Sequence, residues 1–224
     1  MKLDIVQKHI FETYVTMRIG IAALAIMFPS VLVFGGFYID IPLQDSMSAY
    51  YHAMNNNHSM RDFFVGILFA IGVFLYLYKG YRKDEDYVLN LAGAAAIGVA
   101  LIPMQRDCGD SCASISLHGI CAFTLFISVA YVCIWCAPHT LEELKNKVKE
   151  QRYRKIYMLL GICMVLSPVI AWLLTFIFKK FHAYTYIAEA VGIVIFAIYW
   201  LVKSGELAAT KSEHRLIYNA IVKS

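Results

Sequence analysis

Residues 63–78 read FFVGILFAIGVFLYLY, sixteen consecutive positions without a charge, with Arg61 and Asp62 before them and Lys79 after. A half-buried strand would alternate polar and apolar residues, and the helix of a soluble domain would keep one polar face. A run that is apolar on every face and charged only at its ends matches what a bilayer demands of a spanning helix. Moving outward in both directions, the same kind of run recurs. The spacing predicts six transmembrane helices, at about 17–38, 63–78, 87–104, 115–137, 156–178 and 184–202. Helices are expected because each unpaired backbone group costs several kcal/mol in hydrocarbon. Pro29 and Pro168 fall inside spans, where a kink is expected rather than an end.

Composition agrees. Of 224 residues 60% are hydrophobic and 16% charged, where a soluble domain carries about 25% charged residues. The length fits one all-α, polytopic membrane helical bundle occupying residues 1–224 as a single domain. The net charge of +4 is explained by topology, so no nucleic-acid partner is expected. With six spans, sixteen of the 20 Lys and Arg residues fall on one side: the two termini and the connectors holding Lys79, Arg82, Lys83 and Lys145–Lys155. Only Arg61, Arg106, Lys179 and Lys180 fall on the other. The positive-inside rule makes the basic side cytoplasmic, with both termini there. Residues 1–17 mix Asp4, Lys8, His9 and Glu12 with apolar positions and are expected to form an amphipathic helix along the membrane surface, not a cleaved leader. The run LEELKNKVKEQRYRK, residues 141–155, reads as a charged connector helix that anchors to anionic headgroups.

Ionisable residues near membrane depth are candidate functional groups. They gather at the outward ends of three spans, and no comparable set is expected on the basic side. Residues 45–62 read DSMSAYYHAMNNNHSMRD, the fourth span opens with SISLHG around His118, and the sixth with FHAYTYIAEA, which contains His182 and Glu189. Ser48 and His52 are four apart and share a face if that stretch is α-helical. A carboxylate in an apolar helix must take up a proton or find a cation. One reading is a zinc site: His52, His118 and Glu189 as ligands, His182 at the rim as a further ligand, and water in the open position. Asp62 would act as general base or orient a ligand, and Ser48 would hold the water or an oxyanion. The other reading is a structural or proton-linked polar network in which Glu189 pairs with Arg61 or a protonated histidine.

Ser48-Ala-Tyr-Tyr-His52, followed by Asp62 at the head of the next span, resembles the Ser-x-x-x-His and downstream Asp of the transmembrane hydrolase superfamily that contains the alkaline ceramidases and the progestin/adiponectin receptors. The resemblance implies a zinc-dependent hydrolase acting on a membrane lipid, with Ser48, His52 and Asp62 carried over. Members generally have seven spans and a later His-x-x-x-His pair; here the last span offers His182, Tyr186 and Glu189 instead. Over most of its length, through RDFFVGILFAIGVFLYLYKGY (61–81) and a late AEA…WLVKSGE, the chain also resembles uncharacterised bacterial multi-span proteins, which implies an inner-membrane location.

Four of the six cysteines, Cys121, Cys133, Cys136 and Cys163, lie in or at the ends of spans, where cysteine behaves as a small hydrophobe. Cys108 and Cys112 flank Gly-Asp-Ser in an outward loop. A disulfide is expected there, with free thiols or thiol redox chemistry as the alternatives. Three functional readings follow: a metal-dependent lipid hydrolase on the outer face, a non-enzymatic protein that holds a lipid headgroup or partner, and a small transporter using Glu189 as its proton site.

Overall fold

The computed structural model describes residues 2–56, 58–105, 116–144, 146–177 and 183–210. The described residues form a bundle of six α-helices: α1 Lys2–Tyr38, α2 Arg61–Leu77, α3 Lys83–Leu101, α4 Leu117–Tyr131, α5 Lys147–Ile177 and α6 Ala183–Thr210. Each helix packs on its neighbours in sequence, and α6 closes the circle against α1. Among the described residues four helical stretches are long and apolar enough to cross a membrane: Lys8–Tyr38, Leu117–Glu142, Lys147–Leu174 and Tyr184–Leu207. The helices α2 and α3 complete the circle between α1 and α4.

Small residues set how closely the helices approach, as is usual where lipid supplies no hydrophobic drive between them. A Cβ on Gly93 would lie 2.6 Å from the Gly72 carbonyl oxygen, and one on Gly72 would lie 2.9 Å from the Gly93 oxygen. The α2–α3 contact is therefore backbone against backbone. The buried positions of α2, Phe64, Leu68, Ile71 and Leu75, repeat at three and four residues, which fixes its inward face.

Two expectations about helix ends are corrected. The N-terminal segment is not a separate surface helix; α1 runs unbroken for 37 residues, about 55 Å at 1.5 Å per residue, well beyond the ~30 Å hydrocarbon layer. No Gly or Pro interrupts residues 2–19, and Thr13 and Thr16 satisfy their hydroxyls within the helix, on the His9 and Glu12 carbonyls at 2.9 and 2.8 Å. Likewise the charged connector merges with the fifth span. Asn146 accepts the Val148 and Lys149 amides at 3.0 and 3.1 Å, starting α5 at Lys147.

The fourth span also changes character. After Tyr131 the chain widens into a π-helical turn, Val132–Cys136, then tightens into a 3₁₀ helix, Ala137–Glu143, with Pro138 in its first turn. Proline cannot donate to the ladder, and carbonyls around it are left open to side chains. At the other end of the bundle the α1–α2 connector folds back over the circle. A 3₁₀ turn, Ser48–Tyr51, buries Ala49 and Tyr50, and a small hairpin pairs β1 (Met54–Asn55) with β2 (His58–Ser59). Asn56 in the hairpin loop has φ 44°, a left-handed conformation that asparagine tolerates.

Candidate functional site

The α1–α2 connector brings Ser48 to the first turn of α4. Ser48 Oγ lies 2.9 Å from His118 Nε2, and His118 Nδ1 lies 2.7 Å from the Ile102 carbonyl oxygen. A carbonyl can only accept, so Nδ1 carries the proton and the neutral ring presents its Nε2 lone pair to the serine hydroxyl. The carbonyl thus selects the Nδ1–H tautomer, and in that neutral form the chain runs Ser48 O–H → His118 → Ile102. It is the order in which a nucleophile, a base and an orienting acceptor stand in a serine hydrolase, with a carbonyl in the place of the carboxylate. His118 is buried and Ser48 partly exposed.

Pro103 explains the orienting carbonyl. The residue before a proline is pushed to extended backbone, and Ile102 ends α3 in that conformation (φ −95°, ψ 113°). The last carbonyls of α3 then lack helical partners. His118 takes that of Ile102, and His52 Nε2 donates to Met104 at 2.9 Å.

The spacing of Ser48 and His52 does not put them on one face. The turn is 3₁₀, with three residues per revolution, so a residue four positions on is rotated by about 120°. Ser48 therefore meets His118 while His52 meets Met104. Glu189, on α6, accepts the Met47 amide at 2.6 Å, one residue from Ser48. It does not pair with Arg61, whose Nε is 4.0 Å from Asp62. Asp62 stands apart from the site. It is two positions off the buried stripe of α2, its side chain is 86% exposed, and it sits in the first turn, where a carboxylate suits the helix dipole.

As for zinc, both ring nitrogens of His118 and the Nε2 of His52 are engaged by protein groups, and among the described residues no three His, Cys, Asp or Glu side chains converge as ligands. His182, Cys108 and Cys112 lie outside the described residues. Cys121, Cys133, Cys136 and Cys163 are free thiols, the last two of the helical ends being packed like apolar residues at 133 and 136.

The opposite end of the bundle holds a second polar cluster, which corrects the expectation that no comparable set exists there. Arg18 (0% exposed), Glu85 (2%), Lys203 (2%) and Glu206 (0%) are all buried. Lys203 Nζ donates to Thr140 Oγ1 at 2.6 Å, Glu206 Oε2 at 3.0 Å and the Ala137 carbonyl at 3.4 Å. The Tyr157 hydroxyl donates to the same Glu206 oxygen at 3.1 Å, and Arg18 Nη1 to the Tyr78 hydroxyl at 3.2 Å. Glu85 accepts the Tyr81 amide at 2.8 Å; burial pushes its carboxyl up, with Lys203 pulling the other way. Two cations and two carboxylates balance, and five of the six helices or their caps take part together with the 3₁₀ helix that follows α4. The ends of the π and 3₁₀ turns supply the open Ala137 carbonyl and the Thr140 hydroxyl that make the Lys203 pocket. This is the arrangement of a structural lock.

Comparison with family models, with curated proteins and with solved structures finds no match to this chain.

Proposed function

We propose that this protein is a membrane-embedded hydrolase that cleaves an acyl bond of a lipid or lipid-like substrate through Ser48. The observation that carries the reading is the Ser48–His118–Ile102 chain, in which the Ile102 carbonyl holds the proton on Nδ1 and turns Nε2 toward Ser48. Ser48 Oγ attacks the substrate carbonyl while its proton passes to His118 Nε2. The imidazolium returns that proton to the leaving oxygen or nitrogen, giving an acyl-serine. A water then transfers the acyl group to itself by the same route, with His118 again as base. The site's position at the bundle end, beside lipid-facing helices, supports a substrate drawn from the membrane. We further propose that all six helices span the membrane, with both termini cytoplasmic and the Ser48 end on the far side of a bacterial inner membrane.

The test is labelling of the full chain with a fluorophosphonate, which traps nucleophilic serines. Mass spectrometry should place the adduct on Ser48. Ser48→Ala should abolish it, and His118→Gln should slow it by about 100-fold or more, the usual contribution of a positioned base. An unlabelled Ser48, under conditions that label a known serine hydrolase, would overturn the reading.

A further inference from the structure

Between α4 and α5 lies a groove of about 660 Å³, within the ~300–1,000 Å³ range of small-molecule sites. Its walls include Ile120 and Phe123 of α4 and Pro168 and Trp172 of α5; Ile120, Phe123 and Trp172 are 48%, 49% and 61% exposed on the lipid-facing surface. The groove has a physical origin. Ser167 Oγ donates to the Ala188 carbonyl at 2.8 Å, tying α5 to α6 next to the Pro168 interruption, and the gap is left on the α4 side.

The groove is not apolar throughout. Glu189 lines it, six residues into α6 from Ala183 and so about 9 Å along the helix. One carboxylate oxygen accepts the Met47 amide; among the described residues no cation pairs with Glu189. Arg61 is beside Asp62, and Lys203 and Arg18 are committed at the opposite end. A carboxylate in this setting takes up a proton or finds a cation, and a ligand's ammonium group is a cation that this groove can admit. Through the Met47 amide, Glu189 is tied to the residue that precedes Ser48.

We infer that this groove seats the hydrocarbon chain of a lipid whose polar end presents an ammonium group to Glu189. That such a lipid is a substrate rests on the Ser48 reading; that it binds does not.

The full chain in phosphatidylcholine nanodiscs would be photolabelled with a hexadecylamine carrying a diazirine in its chain, and separately with the matching hexadecanoate. Peptide mass spectrometry should find the amine on the groove segments of α4 and α5 about tenfold more often than the carboxylate, the factor that about 1.4 kcal/mol supplies. Unmodified hexadecylamine should compete it away in the wild-type protein. Glu189→Gln should remove the preference between the two probes, and Ala122→Trp should remove groove labelling by both. Labelling spread evenly over the lipid-facing helices, or an amine preference unchanged by Glu189→Gln, would overturn the inference. Ser48 reactivity is read separately with the fluorophosphonate. An inert Ser48 alongside amine-selective labelling removes the hydrolase reading and leaves the lipid site standing. A reactive Ser48 with unselective labelling does the reverse.

Discussion

Lys203 and Glu206 share one turn of α6 and are 2% and 0% exposed, so each is tolerable only because of the other and of Thr140 and Tyr157. Removing one charge from such a pair leaves the other buried without compensation, at a cost of about 3–5 kcal/mol. Lys203→Met is therefore expected to destabilise the bundle by about that much. Lys203→Met with Glu206→Leu should recover part of the loss, because Glu206 no longer stands bare while Glu85 still loses the Lys203 charge. Denaturation in detergent of the two single variants and the double variant measures this; a double variant as unstable as the sum of the singles would show that the pair is not coupled. This cluster was not legible in the sequence. Arg18, Glu85, Lys203 and Glu206 all sit at span ends and read as ordinary flanking charges. They are buried because α1, α5 and α6 all continue past that level and cover them, and helix continuation carries no side-chain signal of its own. The Ser48 end was more legible. His118 and Ser48 were both placed at one membrane face, and only their direct pairing depended on the turn being 3₁₀ rather than α.

At the scale of elements, two devices control the site and the packing. The first is the proline that ends α3. Pro103→Ala would let the helix run on and claim the Ile102 carbonyl with its own backbone, so His118 would lose the acceptor that fixes its tautomer. Fluorophosphonate labelling of Ser48 is expected to slow by about tenfold or more, short of the full loss of a base. Retention of the wild-type rate would mean that the carbonyl does not orient the ring. The second is the Gly72–Gly93 contact of α2 and α3. A side chain at 93 must push into the Gly72 carbonyl, and overpacking of this kind costs about 1–3 kcal/mol, so Gly93→Leu should lower thermal stability. Gly20 has nothing within 4 Å of the place a Cβ would occupy, and Gly20→Ala should raise stability by about 0.4–1 kcal/mol. Opposite signs for the two glycines are the expected result. Which glycine faces a backbone is not legible in the sequence, because that depends on the rotation of each helix.

For the whole molecule, the question is whether α2 and α3 cross the membrane with the four longer apolar stretches. The proposal that they do rests on the exterior of the bundle. Phe69 of α2 and Leu91 of α3 are 42% and 53% exposed, and they face outward as Leu159 and Leu166 of α5 do. Exposed aromatic residues also form two levels. Tyr76, Tyr87 and Trp135 lie toward the Lys203 end, and Tyr38, Trp172 and Tyr184 toward the Ser48 end. Under the six-span proposal these residues would sit at the two membrane interfaces, with α2 and α3 contributing to the first. At 17 residues α2 is about 25 Å long, a few ångströms short of the hydrocarbon layer, a mismatch that costs fractions of a kcal/mol per ångström. If α2 and α3 span, the connector between them lies on the same side as residues 144–150, and Asn56 and Gln105 lie on the other. Single cysteines in a background without native cysteines would be treated with a membrane-impermeant maleimide on intact cells. Cysteines at Asn56 and Gln105 should react, and those at Arg82 and Lys149 should react only after the membrane is opened. Reaction at Arg82 in intact cells would show that α2 and α3 do not cross as proposed. Reaction at Lys149 together with protection at Asn56 would reverse the orientation and place the Ser48 site on the cytoplasmic face.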